Sequence, residues 1–154
     1  MSVDTVATLS CPPRFGTRRS PERATLGPAV GMVAAMLGKP LMEWQQHVLD
    51  ILLEIDPNTG ELVYTDWTLT VPRQSGKSIL ILAKASHRCL ATKFFGPNQT
   101  VAYAAQTKLK ATNKFEREYA RAIGFGARKI KARVRTGNVN VDIRYPNGSL
   151  FAVE

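Results

Sequence analysis

The segment that most limits what this chain can fold into is Trp67–Ser78. A β-rich run, Trp67-Thr-Leu-Thr-Val71, leads into Pro72-Arg-Gln-Ser-Gly-Lys-Ser78, and Lys77–Ala91 then reads as an apolar helix. A strand, a tight loop and a helix start in this order aim backbone N–H groups at an anion. Gly76 lets the backbone approach a phosphate closely. Lys77 can reach the β- and γ-phosphates of a nucleotide, and the Ser78 hydroxyl can ligate Mg²⁺. The general pattern G-x-x-x-x-G-K-[ST] begins with glycine, whereas this chain has Val71 there. Arg73 either stabilises charge on a transferring γ-phosphate or is solvated or DNA-facing.

The rest of the chain supports a globular protein with a polyanionic partner. Its 154 residues are 44% hydrophobic, enough for a core. The net charge is +9, which favours nucleic acid. The charge is segregated. Leu41–Asp66 holds six acids and no Lys or Arg, whereas Lys108–Arg135 holds ten basic residues and two acids. That basic stretch is either a phosphate-contacting surface or a solvated helix face with a basic loop. Two cysteines, Cys11 and Cys89, make neither a disulfide framework nor a four-ligand zinc site, and a reducing compartment is the simplest reading. The longest apolar stretch, Ala29–Leu37, is too short for a membrane span.

Periodicity supplies the element order. Residues 1–25 read as a mobile arm and 26–154 as one folded portion. Gly27-Pro28 opens a helix to about Leu37. Leu41–Ile55 is an amphipathic helix and Asp56–Gly60 a turn. Glu61–Thr65 and Trp67–Val71 read as strands, as does Thr100–Ala105. Thr107–Ile123 is helical, with Ala111, Phe115, Tyr119 and Ile123 at i+4 spacing and Gly124 as C-cap. Val139–Tyr145 alternates like a half-buried strand, and Asn147-Gly148 predicts a hairpin into Ser149–Val153. The order suits an α/β sheet with helices on its faces.

Leu41-Met-Glu-Trp44-Gln45, followed by Asp66-Trp-Thr-Leu-Thr-Val-Pro-Arg-Gln-Ser-Gly-Lys-Ser78, resembles the large terminase subunit of tailed bacteriophages, the ATPase that packages DNA into the prohead. That family's phosphate loop lacks the first glycine, so Val71 fits it. The resemblance runs from about Gly27 to Glu154. It implies a P-loop NTPase three-layer sandwich with a mainly parallel sheet, incomplete at its C-terminus. It implies ATP and Mg²⁺ as cofactors, with Arg73, Gln74, Ser75, Gly76, Lys77 and Ser78 around the phosphates. Arg73 and Lys77 are the catalytic candidates, Ser78 the Mg²⁺ ligand and Gln45 the adenine contact. It further implies double-stranded viral DNA, a small terminase subunit and a portal protein as partners. A homo-oligomeric ring, and the host cytoplasm with transient docking at the portal, follow from the same likeness.

The acidic half of such a site is not legible. A Walker B strand ends in an Asp that organises Mg²⁺, followed by a Glu that polarises water. Leu150-Phe-Ala-Val-Glu154 has the apolar run and one acid. However, its hairpin turn predicts antiparallel pairing, outside a parallel core. The chain therefore reads as an N-terminal piece of a terminase that binds nucleotide but turns it over negligibly alone. Within the basic stretch, Lys108, Lys110, Lys114, Arg128, Lys129 and Lys131 are the DNA-backbone candidates. Two other readings remain: a helicase-like, nucleic-acid-stimulated P-loop ATPase, and a non-catalytic basic nucleic-acid-binding domain with a chance G-K-S.

Overall fold

The computed structural model describes residue 10, residues 12–136 and residues 141–154. The chain divides into two compact units. Met1–Pro28 and Met42–Thr70 form the first, and Ala29–Leu41 and Val71–Glu154 the second. Among the described residues, no helix is long and apolar enough to cross a membrane.

In the first unit, helix α2 spans Glu43–Leu52 and buries Gln45, Leu49 and Ile51. Its polar N-terminal capping comes from Gln45, whose Oε1 accepts the Met42 N–H at 2.8 Å. The turn expected at Asp56–Gly60 forms. Asp56 Oδ1 accepts the Asn58 N–H at 2.8 Å, and Gly60 takes the left-handed φ of +73° that an L side chain rarely tolerates. Beyond α2, Glu54 is fully buried. Its carboxylate accepts from Arg19 at 2.8 Å, Arg23 at 3.1 Å and the Ser20 N–H at 2.7 Å. Residues 1–9 and 11 of the expected arm lie outside the described residues, while the Ser20 neighbourhood is fastened to Glu54.

The second unit holds the sheet. The ten-residue helix α1, Gly27–Met36, enters it, and Gly38 at φ +69° ends that helical turn. Helix α3 is Lys77–Leu90, and a single turn, α4, covers Thr92–Phe95. Strand β1 is Thr100–Tyr103. A continuous helical segment follows, made of α5 (Lys108–Lys114), a π-helical stretch (Phe115–Ala120) and α6 (Arg121–Ile130). Strands β2 (Arg133–Thr136), β3 (Val141–Arg144) and β4 (Leu150–Val153) complete the unit.

Sheet order is β1-β4-β3-β2, with β1 and β4 parallel and the other two pairs antiparallel. This overturns the expected mainly parallel P-loop sandwich. The chain makes one long crossover, from β1 through the helical segment to β2 at the far edge, and then turns back on itself through β3 to β4, which lands beside β1. Residues 61–65 and 67–71 form no strand, and Ile55 and Leu62 make only an isolated bridge. In the 67–71 run Trp67, Thr68 and Thr70 are exposed, so its β-prone side chains bury too little to define a central strand.

One face of the sheet carries the core. Val101, Phe151, Ile143 and Val134 stand in register across all four strands. The π-helical stretch covers them: Phe115 meets Phe151 at 4.9 Å with the rings tilted, Tyr119 stacks on Phe151 at 5.8 Å, and Tyr119 packs edge-on to Tyr103 at 5.2 Å. Residues four apart drift by about 40° per step on an α-helix, so the wider π turn helps keep Phe115 and Tyr119 on the buried side.

The helix does not stop at Gly124, as expected, but runs to Ile130. Burial of Ala122, Ile123 and Ile130 outweighs the roughly 1 kcal/mol cost of a helical glycine. The hairpin behaves as expected locally. Gly148 has φ +81°, and Tyr145 and Ser149 close the turn at 2.9 Å.

Candidate nucleotide-binding site

The turn and helix start expected at residues 72–78 form although the expected sheet does not. Arg73 and Gln74 form an exposed turn, with Gln74 at φ +62°. Gly76 caps α3 at φ +89°, a conformation costly for any residue with a Cβ. Lys77 is the first helical residue and is exposed, while Ser78 is half-buried in the first turn. No acidic residue occupies that turn, so the helix dipole is not locally neutralised.

Two hydroxyls in this region are buried with no hydrogen-bond partner of good geometry: Ser75 Oγ, in the loop, and Tyr119 Oη. The Tyr119 phenol is fully buried, and burial pushes its titration far upward, with the Tyr103 phenol adding and the Ser78 hydroxyl opposing. The three hydroxyls of Ser78, Tyr103 and Tyr119 thus lie close together. This places the first turn of α3 near Tyr103, the last residue of β1.

Strand β4 corrects one expectation. It pairs antiparallel with β3, as the hairpin predicts, yet it also makes the sheet's parallel pair with β1. The Glu154 N–H donates to the Tyr103 carbonyl at 3.1 Å. Among the described residues, no group of three His, Cys, Asp or Glu side chains is arranged to hold a metal.

The remaining expected residues fall elsewhere. Gln45 belongs to the first unit, is buried and spends Oε1 on capping α2. Lys108 and Lys110 are exposed on α5, and Lys110 Nζ donates to Gln106 Oε1 at 3.0 Å. Lys114 pairs with Glu118 at 3.5 Å. Arg128 and Lys129 are exposed in the last turn of α6, and Lys131 follows at φ +53°.

Sequence reasoning did not single out Tyr119 as a polar group, Lys39 or Phe125. Phe125 carried a usable signal, an aromatic side chain bracketed by Gly124 and Gly126. No family model, curated protein or solved structure matches the chain.

Proposed function

We propose that this chain is the ATP-binding part of a DNA-packaging motor of the terminase large-subunit kind. The observation that carries the reading is the start of α3: Gly76 in the left-handed region, Lys77 and Ser78 in the first turn, and the unpartnered Ser75 Oγ beside them. In this reading, backbone N–H groups of the loop and the Lys77 ammonium hold the phosphates. The Ser78 hydroxyl would help hold Mg²⁺, which would supply charge neutralisation on the phosphate oxygens. Arg73 is exposed in the turn and free to swing onto the terminal phosphate. The reading rests on the loop and on the sequence resemblance, and it carries no claim to a parallel P-loop sheet. Double-stranded DNA, portal and small-subunit partners belong to the whole motor in this proposal.

Titration with a fluorescent ATP analogue and Mg²⁺ tests it. Saturable binding weakened at least tenfold in Lys77→Ala is the expected result. No binding, or equal binding by Lys77→Ala, overturns the proposal. Steady-state turnover by the chain alone that Lys77→Ala abolishes would overturn the expectation of negligible hydrolysis.

A further inference from the structure

The second unit contains a groove of about 540 Å³ lined by Leu37, Gly38, Lys39, Ile79, Arg117, Glu118, Arg121, Ala122 and Phe125. Its volume is that of a small-molecule pocket, but its chemistry is that of a charged surface around one ring.

Phe125 is 75% exposed although it lies on a helix whose neighbouring residues Ala122, Ile123 and Gly126 are buried. A Cβ on Gly38 would run into the Phe125 ring, so one side of the ring lies against bare backbone. Gly126 fixes the approach, because a Cβ there would meet Leu37 Cδ2 at 2.9 Å and the Met36 carbonyl at 3.1 Å. Two glycines thus let α6 close onto the end of α1 and hold an aromatic face open to solvent.

Three cations line the same groove as that ring: Lys39 from the chain after α1, Arg117 from the π-helical stretch and Arg121 from α6. Among the described residues, none of the three has an ion-pair partner. The one acid, Glu118, is within 3.5 Å of Lys114.

A held, exposed ring within a set of unpaired cations matches an unpaired base with phosphates on either side. We propose that this groove binds single-stranded nucleic acid, one base stacking on Phe125 and the flanking phosphates meeting Lys39, Arg117 and Arg121. A strand fits better than one mononucleotide, because the cations come from three separate elements around the ring. A duplex fits poorly, because its bases are already stacked. The groove adjoins the first turn of α3 through Ile79, but the proposal does not rest on the reading given to the Lys77 loop.

Fluorescence anisotropy of a labelled oligothymidine tests it, with a duplex of the same length and a free thymidine mononucleotide as comparisons. Phe125→Leu is expected to weaken the single strand about tenfold while leaving the duplex within about twofold. Arg121→Gln is expected to lower the slope of log affinity against log salt by about 0.7. Phe125 and Arg121 are exposed, and thermal melts of both variants check that the fold is intact. Single-strand affinity unchanged by both substitutions overturns the proposal. So does an equal loss for single strand and duplex in Phe125→Leu, or displacement of the oligonucleotide by equimolar mononucleotide.

Discussion

The Tyr145 hydroxyl donates to Ser86 Oγ at 3.0 Å, with both side chains buried. This bond ties the β3–β4 hairpin to the helix that Lys77 begins. Burial pushes the Tyr145 phenol well above its usual range, against the opposing effect of Ser86. Tyr145→Phe leaves the Ser86 hydroxyl unpaired and is expected to cost about 1–2 kcal/mol. Adding Ser86→Ala to it should cost little more, because the interaction is already gone. A double-mutant cycle from urea melts measures the coupling, and fully additive losses would contradict it.

Glu54 is a buried carboxylate held by two arginines and one backbone N–H. Burial alone would raise its pKa. The Ser20 N–H and then the Arg23 and Arg19 guanidiniums outweigh that and hold it below the ordinary 4.5. Its stabilisation is therefore complete above 4.5 and is lost as pH falls below that value toward the folded pKa. Glu54→Gln should cost about 2 kcal/mol, less than the roughly 3–5 kcal/mol of a fully buried pair because the arginines are partly exposed. It should also flatten the acid limb of the stability curve. An unchanged acid limb in the variant would exclude Glu54 as its source.

His87 sits on the buried side of α3, edge-on to Phe95 at 6.2 Å. Burial, then the nearby Lys84 charge, lowers its pKa from 6.5. The folded state thus prefers neutral imidazole. Stability is full above 6.5 and declines as pH drops below it, until the folded pKa is passed. Urea midpoints between about pH 7 and pH 5 should fall in the parent and fall less in His87→Gln. Parallel curves would show that another group titrates.

Cys89 is fully buried, and burial pushes its thiol up to about 12 despite the opposing charge of Arg88. Thiolate is then negligible at neutral pH. In a Cys11→Ser background, a disulfide reagent such as Ellman's should leave the folded protein unmodified and react fully once urea unfolds it. Rapid modification of the folded form would show that this side of α3 opens.

Local chemistry was legible in the sequence. The Asn147-Gly148 hairpin, the Asp56–Gly60 turn and the start of α3 after Gly76 each depend on a few adjacent residues. Strand pairing was not. Trp67–Val71 has the residue pattern of a strand, but a strand needs a partner and a buried face, and the pattern specifies neither. Gly124 looked like a helix stop because its intrinsic cost is visible, whereas the burial of Ile123 and Ile130 that overrides it is not. Phe125 and Lys39 are distant in sequence, so the groove they share could not be read along the chain.

The sequence by itself determined the glycine turn before α3, the other turns and the segregation of charge, because backbone conformation at glycines and net charge are local properties. Only the tertiary structure decided that β4 runs parallel to β1 and antiparallel to β3. It alone decided that α6 extends past Gly124, and that Phe125 stands exposed against Gly38 among three cations. Those outcomes depend on which distant surfaces exclude water together, and burial of that kind is settled by the whole fold.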